Sequence, residues 1–96
     1  MYARVGVYTI KPGQLEEVVR KVEAEQVPII RQQPGFVAYE LIRTGADRCV
    51  TISRWGSEAE AEASRAVAGA WVREHLAELI ADSQTHSGEI AIAASQ

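Results

Sequence analysis

Trp71 and His75 stand one helical turn apart near the end of an alanine-rich stretch, and this spacing makes them the first candidates for chemistry. On a helix that advances about 100° per residue, Val72, Leu76 and Leu79 centre the buried stripe, and Trp71 and His75 share its margin. A side chain at that margin can face a cleft. Because an imidazole changes its protonation state near neutral pH, His75 could act there as a base toward an acidic phenol, or ligate iron.

The same pair also fits an ordinary structural role. Trp71 could pack against the sheet edge or a partner subunit, with His75 partly solvated beside Glu78. The spacing leaves both interpretations open. The first one predicts Trp71 as a substrate-binding residue and His75 as the catalytic base.

Residues on the predicted strands could complete such a site. Arg54 could supply a cation for a substrate anion, as could Arg43, although strand arginines at solvent-facing positions often serve solubility. Trp55 could be an aromatic wall for a planar ligand or a core or interface anchor. Tyr39 could donate a hydrogen bond to a substrate oxygen or pack with its hydroxyl at the rim, and Phe36 on the same strand is a further predicted substrate contact.

The sequence predicts neither a metal site nor a phosphate site. Cys49 is the only cysteine, so neither an intrachain disulfide nor a cysteine zinc site can form, and nothing marks its thiol as activated. His75 and His86 lack metal-ligand spacing, His86 is expected in a turn before the last strand, and no glycine-rich phosphate loop is present. We therefore expect no cofactor, and haem is the one group that His75 would allow.

Composition and charge restrict the class of protein. The 96 residues fit a single domain, residues 1–96, and the hydrophobic share of 47% and charged share of 24% are typical of globular proteins. A formal net charge of −3 without a cluster of Lys or Arg disfavours nucleic acid and membranes as partners. The N-terminal apolar stretch is too short and interrupted for a signal peptide or a membrane span, so we expect a cytoplasmic protein.

The first third of the chain is predicted to form a strand and a long helix. Residues 3–10 are rich in β-branched side chains and end at a Lys-Pro-Gly break, where Pro12 suits the first turn of a helix. Pro28 lacks a backbone donor and should kink or end the regular helix near Val27. The apolar face of this helix recurs at spacings of three and four, at Leu15, Val18, Val19, Val22, Gln26 and Ile29.

A hairpin follows, formed by residues 36–43 and 48–55 around a Thr-Gly-Ala-Asp turn. Ser57 and Glu60 then have the spacing of a capping box, so a second helix should begin at Glu58.

The end of the chain is predicted as more helix and a last strand. Gly69 could interrupt the second helix, helical periodicity resumes over residues 70–82, and residues 87–95 form the closing strand.

The resulting order β-α-β-β-α-β is the ferredoxin-like α+β arrangement, in which two helical segments cover one face of a four-stranded antiparallel sheet. The second and third strands are apolar on both sides, with Phe36, Ala38 and Ile42 predicted opposite Val37, Tyr39 and Leu41. The helices suffice for one face only. We therefore expect a homodimer in which the two uncovered sheets stack to form a dimeric α/β barrel.

One pattern runs from Pro34-Gly35 through Tyr39 and Leu41 on the second strand to Trp55 at the end of the third, and then to Ser57 before a helix rich in Glu and Ala. In this pattern the sequence resembles the antibiotic biosynthesis monooxygenase family, also called the ABM domain, whose members are dimeric α/β barrels. The resemblance covers nearly the whole chain in element order.

The resemblance implies a pocket between the helices and the sheet. In some members this pocket oxidises phenolic polyketide intermediates with dioxygen and without metal or flavin, and in others it binds and degrades haem. The chain departs from the haem-degrading pattern, because it contains no Asn, which those members carry on the first strand. Ser64 stands where members often carry a His early in the second helix, and His75 falls near their axial His only with a slip of about one residue.

We therefore expect a cofactor-independent monooxygenase that oxidises a small phenolic or polyketide-like aromatic compound. The alternatives are haem binding and degradation, and a non-enzymatic, stress-associated dimer that binds a small ligand. An open, aromatic-lined cavity would favour catalysis, whereas a pocket filled by the protein's own side chains would favour the scaffold.

Overall fold

Four strands and two helical segments alternate along the chain in the computed structural model, which describes residues 1–96. The strands are β1 (Tyr2–Ile10), β2 (Phe36–Gly45), β3 (Arg48–Trp55) and β4 (Ile80–Glu89). The first helical segment consists of α1 (Leu15–Lys21), a π-helical turn (Val22–Gln26) and α2 (Val27–Arg31), and the second is α3 (Glu58–His75).

The strands form one antiparallel sheet in the order β2-β3-β1-β4. The central strand β1 pairs with β3 on one side and with β4 on the other, so neither of its neighbours in the sheet follows it directly in sequence. Both helical segments pack on the same face, which we call the inner face. The predicted ferredoxin-like α+β fold is thereby confirmed.

Two apolar clusters fill the layer between the helices and the inner face. The larger one contains Ile10, Leu15, Val18, Val22, Cys49, Trp71 and Leu76, and the smaller one contains Ile30, Trp55 and Ala61. Every strand that faces the helices contributes, because side chains two apart on a strand share a face. The core is therefore continuous with the walls of any site between the layers.

The first helical segment differs from the prediction at Pro12, while before Pro28 the regular α-helix is interrupted close to the predicted position, Val27. Pro12 lies in the turn before the helix, beside Gly13 at φ +80°, and the helix begins at Leu15. Pro28 does not end the helix, because α2 runs on to Arg31 after the π turn. A wider turn, with backbone bonds that reach five residues back, accommodates a ring that would otherwise clash with the carbonyl four residues earlier.

The π turn also changes which side chains are buried. The extra residue in the turn moves the next buried position from the predicted Ile29 to Ile30, while Val22 and Gln26 stay on the buried face. Ile29 is only partly buried at the edge of the core.

The hairpin and the start of α3 follow the prediction closely. Strands β2 and β3 meet at Ala46-Asp47, and the Ser57 hydroxyl accepts a hydrogen bond from the Glu60 backbone N–H at 3.2 Å, so α3 begins at Glu58. Phe36 of β2 lies on the opposite face of the sheet from the predicted one. An irregularity after Phe36 pairs it with Trp55 on the inner face, while Ala38 and Ile42 keep to the outer face.

The end of the chain differs most from the prediction. Gly69 does not interrupt α3, which ends at His75 instead of continuing to residue 82. The last strand is Ile80–Glu89, and His86 lies within it, opposite Val5, and not in a turn. Its polar sequence lacks an apolar alternation because it is an exposed edge strand held by backbone bonds to β1.

Residues 90–96 carry the apolar alternation that predicted the closing strand, but they lie beyond the end of β1. Glu89 already pairs with Tyr2, and Ile90 donates a backbone hydrogen bond to Met1 at 2.9 Å. No strand remains in the chain for the following residues to join, and Ile92 is 88% exposed. None of the helices is both long and apolar enough to cross a membrane.

Candidate functional site

A cavity of about 280 Å³ lies between the inner face of the sheet and the two helical segments. We call it the central cavity. Apolar side chains from α1, α3 and the sheet form most of its wall, including Val18, Val22, Leu41, Val72, Leu76 and Ile80. The protein's own side chains therefore leave an internal space that is open to a small ligand.

Two tyrosines and a threonine form a hydroxyl-bearing patch on the sheet wall of this cavity. Tyr8 on β1, Tyr39 on β2 and Thr51 on β3 all line it. The Tyr8 ring lies over Gly6, where an added Cβ would come within 2.6 Å of the ring and 2.8 Å of the Thr51 hydroxyl. Only glycine at position 6 lets the Tyr8 phenol lie this close to the strand.

Both cavity phenols are held in their neutral form. Burial raises the pKa of Tyr8, against the smaller opposing effects of the Thr51 hydroxyl and the Arg4 cation. Burial raises the pKa of Tyr39 further, and the neighbouring Tyr8 adds to the effect. At neutral pH these phenols are consequently hydrogen-bond donors and not bases.

Arg4 places a cation at the sheet wall beside the patch. Its Nη1 donates to the Ala61 carbonyl at 2.9 Å and to the Ser64 hydroxyl at 3.4 Å, and its guanidinium lies 5.8 Å from the Trp55 ring centroid. Burial lowers the pKa of Arg4, but an arginine stays charged in proteins. No carboxylate lies within ion-pair distance, so the charge is partly desolvated without a counter-ion.

Gln26 brings a carboxamide into the otherwise apolar helical wall. It ends the π turn, is only 6% exposed, and makes no side-chain hydrogen bond within the protein. It lines the central cavity, so its amide is available there as both donor and acceptor. Single π turns inside helices are frequent at functional sites.

Two arginines of α3 complete the charged part of the lining. Arg65 and Arg73 lie two turns apart on that helix, and Gly69 between them also lines the cavity. A Cβ on Gly69 would be 3.4 Å from the Arg73 guanidinium, so glycine gives this side chain room along the helix. The predicted interruption by Gly69 is thus replaced by a packing role.

Of the six residues predicted for the site, the structure places Tyr39 in the lining of the central cavity. Trp55 is fully buried behind it, with its ring N–H donating to the Ser53 hydroxyl at 3.0 Å. Phe36 packs edge-on against Trp55, with ring centroids 5.6 Å apart. These two rings therefore support the wall that carries Arg4.

The structure brings Trp71 and His75 together, outside the cavity lining. Trp71 is 6% exposed in the main core, and His75 stacks on it with ring centroids 5.1 Å apart. The imidazole faces the surface, 3.8 Å from a Glu25 carboxylate oxygen and 3.9 Å from one of Glu74. Arg54 is exposed on the outer face of the sheet, so neither His75 nor Arg54 reaches the cavity.

The sequence reasoning missed Arg4, Gln26, Arg65 and Arg73 as site residues. One signal was available, because Gln26 is the single polar residue in the predicted apolar stripe of the first helix. Gly6 two positions before Tyr8 was a second, since residues two apart share a strand face. Nothing in the sequence marked Arg65 and Arg73 among the other exposed charges of α3. No group of three or more His, Cys, Asp or Glu side chains could hold a metal ion.

Solved structures share this architecture at low sequence identity. A cofactor-independent oxygenase from Streptomyces nogalater, SnoaB, superposes with a TM-score of 0.81 at 20% identity, covering 99% of this chain and 97% of that one. The haem degrader MhuD from Mycobacterium tuberculosis, solved with two haems in its active site, gives 0.76 at 17% identity, with coverage of 99% and 100%. A protein of unknown function from Nitrosomonas europaea gives 0.82 at 20% identity, with coverage of 99% and 93%.

These likenesses establish the fold. No curated protein matches the chain by sequence. The family model described as antibiotic biosynthesis monooxygenase matches residues 1–70, which hold β1 to β3, the first helical segment and most of α3. Since that match spans more than half of the sequence, the chain belongs to the antibiotic biosynthesis monooxygenase family.

Proposed function

We propose that the protein is a cofactor-independent monooxygenase that oxidises a small phenolic, polyketide-like aromatic compound with dioxygen. The observation that carries this proposal is the patch of two neutral phenols beside the unpaired Arg4 cation in the wall of an open, apolar cavity. Membership of the family and the likeness in fold to an oxygenase named as cofactor-independent support it.

The chemistry needs an electron-rich substrate anion and no other reductant. An anthrone-type substrate loses a proton, and the anion passes electrons to dioxygen and forms a C–O bond. The resulting hydroperoxide loses water and leaves a carbonyl. The substrate supplies all four electrons, one oxygen atom ends in the product and the other in water, so the atoms and electrons balance.

The cavity residues have complementary roles in this proposal. Arg4 stabilises the negative oxygen of the substrate anion, and the Tyr39 and Tyr8 hydroxyls donate hydrogen bonds to substrate oxygens as charge develops. The cation role considered for Arg54 thus passes to Arg4. Trp55 and Phe36 hold Arg4 in place from behind.

Loss of the substrate proton is not assigned to a cavity base, since no His, Asp or Glu is among the lining residues. The nearby arginine increases the acidity of the substrate, and the proton passes to water in the open cavity. In this proposal His75 and Trp71 form a stacked pair that stabilises the end of α3, and they take no part in proton transfer.

The lining does not fit haem, the main alternative within the family. A thiolate or phenolate ligand must be deprotonated, and burial raises the pKa of the Cys49 thiol and of both cavity phenols. No histidine or methionine lines the cavity.

We also propose that the protein works as a homodimer. The outer face of the sheet carries Val5 and Val7 on β1 beside Ile52 and Val50 on β3, and Ile42 of β2 pairs with Val50. Val7 and Ile42 are each 43% exposed. A second copy stacked on this face would remove the patch from water and leave the central cavity accessible from the other side.

Turnover of anthrone-type and quinol substrates under oxygen tests the proposed reaction. We expect oxygen uptake with quinone formation above the uncatalysed rate, and one atom of labelled dioxygen in the product of the anthrone-type substrates, whereas a quinol keeps its own two oxygens. Tyr39→Phe should lower kcat/KM by about 10- to 100-fold, since a hydrogen bond to a charged group contributes about 1.5–3 kcal/mol.

His75→Ala is the matched comparison in that experiment. Because His75 lies outside the lining, this variant should retain kcat/KM within about threefold of the parent protein. Loss of turnover in His75→Ala with an unchanged Tyr39→Phe would return the base role to His75. No turnover across the panel would remove the proposed reaction.

A further inference from the structure

The charges that line the central cavity all have one sign. Although the chain carries a formal net charge of −3, the charged lining residues are Arg4, Arg65 and Arg73. Arg4 and Arg73 form no ion pair. Arg65 lies 3.8 Å from Glu62, but both side chains are about half exposed, and such a surface pair contributes little. Glu62 on α3 offsets part of this charge, because it also acts on Arg4, but every charged side chain of the lining itself is positive.

Arg4 and Gln26 both have unused hydrogen-bonding capacity toward this space. A guanidinium has five N–H donors, and the protein takes up only those of Arg4 Nη1. Gln26 makes no side-chain hydrogen bond within the protein, and since no buried side-chain polar atom lacks a partner, its amide is exposed to the cavity. Partly burying an unpaired charge such as that of Arg4 costs free energy. A ligand with an acceptor oxygen and a negative charge would satisfy both groups.

The volume limits the size of that ligand. About 280 Å³ is nearly twice the volume of about 150 Å³ that holds a single benzene ring, so it encloses about two fused aromatic rings, and a third ring of an anthrone-type compound would extend through its open side. The apolar side chains of the wall would enclose the rings, and the polar groups would face the charged oxygen.

We infer that the central cavity selects aromatic compounds carrying an oxygen group that is already ionised at neutral pH, with Arg4 and Arg73 as counter-charges and Gln26 as the neutral hydrogen-bonding residue. This inference rests on the proposed function in taking the central cavity as the substrate site. It adds that the cavity recognises an oxygen group that is charged before binding, such as a carboxylate, separate from the position that loses its proton in the reaction.

A pair of nearly isosteric probes tests the selection directly. Binding of 2-naphthoate and of its neutral counterpart 2-naphthamide is measured at pH 7 by calorimetry, at low and at high salt. We expect naphthoate to bind roughly tenfold or more tightly than the amide, as a charge-assisted contact should provide. High salt should reduce this ratio, because the arginines of α3 are partly exposed.

Three variants separate the charge from the packing. Arg73→Gln should lower the ratio of the two affinities by about threefold or more, since Arg4 remains, while Gln26→Leu should weaken both probes by a similar factor of about 3–10, because it removes a neutral hydrogen bond. Arg31→Gln, at the exposed end of α2, removes the same charge away from the cavity and should leave the ratio unchanged. Circular dichroism of each variant checks that the fold is retained.

The outcomes distinguish this inference from the proposed reaction. Preference for naphthoate without any oxygen-dependent turnover would retain the anion site and remove the monooxygenase. Turnover of neutral arenes with equal affinity for the two probes would retain the monooxygenase and remove the anion site. Equal affinities, a preference for the amide, an unchanged ratio in Arg73→Gln, or no binding of either probe would overturn the inference.

Discussion

At the scale of single residues, the environment of Tyr39 decides what it can do. The same phenol on an exposed strand would be an ordinary surface tyrosine, but here burial raises its pKa and the neighbouring Tyr8 adds to the shift. It therefore keeps its proton at every pH at which the protein is expected to work. A residue that the sequence could name as a hydrogen-bond donor is confined to that role by its surroundings.

This confinement makes the stability of the protein sensitive to alkaline pH. Above the ordinary phenol pKa of 10.0 the unfolded chain releases the Tyr39 proton while the folded chain retains it, so rising pH favours the unfolded state. For a fully retained proton, the loss reaches about 1.4 kcal/mol at pH 11. Tyr39→Phe should remove this part of the decline when urea unfolding is measured from pH 8 to pH 11. Parallel declines in the two proteins would contradict a raised pKa.

Residue types alone could identify only part of the site. Tyr39 was recognised because a tyrosine on a strand can face a cleft, and its position in the cavity follows from the strand period. His75 and Trp71 illustrate the opposite case. Their spacing suits a reactive pair as well as a stacked pair. Because α3 ends at His75, the two rings stack on each other and the imidazole lies at the surface.

At the scale of elements, the residues that carry the family pattern hold the hairpin onto α3. Gly35, at φ +79°, accepts a backbone hydrogen bond from Gly56 at 2.8 Å, and a Cβ at position 35 would come within 2.3 Å of the Glu60 carboxyl group. The Glu60 carboxylate in turn accepts a hydrogen bond from the Ser57 hydroxyl at the start of the helix. The pattern from Pro34 to Ser57 is thus explained by the fold, and the cavity residues Arg4 and Gln26 lie outside it.

Substitution of Gly35 tests this contact against a matched glycine. Gly13 has a similar φ of +80° but no atoms within 4 Å of an added Cβ. Gly13→Ala should cost about 1–2 kcal/mol for the left-handed backbone alone. Gly35→Ala should cost about 1 kcal/mol more in thermal or urea unfolding, because the Glu60 carboxyl group must move.

A double variant distinguishes the two causes. Adding Glu60→Ala to Gly35→Ala should recover the excess cost, since the smaller side chain no longer meets the new Cβ. Equal losses for the two glycine variants, or no recovery in the double variant, would show that Glu60 does not constrain position 35.

The predictability of each element depended on whether its signals are local. The hairpin and the start of α3 were predicted correctly because turn residues and the Ser57 cap act within a few positions. Strand β4 was predicted at the wrong position because it pairs with β1 through backbone hydrogen bonds, and its polar side chains show no apolar alternation that would identify a strand. The π turn was missed because it depends on both Pro28 and the packing of the helix against the sheet.

At the scale of the whole molecule, the sheet is covered on one side only. Apolar side chains of β1, β2 and β3 form the outer face, and the apolar residues 90–94 lie beyond the reach of any strand in the chain. Both features were visible in the sequence as hydrophobic alternation. No element of the single chain covers either of them, so the alternation of residues 87–95 was assigned to a strand that does not form.

A charge placed on the outer face tests the proposed homodimer. Light scattering should give twice the mass of the chain for the parent protein and one chain mass for Val7→Lys, because a buried lysine without a partner is costly. Val67→Lys makes the same change at a similarly exposed valine on α3 and should remain dimeric. A parent protein of one chain mass at micromolar concentration would exclude this assembly.

The π turn of the first helical segment makes the chemistry of the cavity sensitive to chain length. Such a turn holds one residue more than an α-helical turn, so loss of a single codon, for example that of the exposed Ala24, would restore regular α geometry. Because the π turn already absorbs its extra residue, the flanking side chains would keep their faces, and the change would fall on the turn itself, which ends at Gln26. Relatives could therefore shift the carboxamide by insertion and deletion, without any substitution at the position itself.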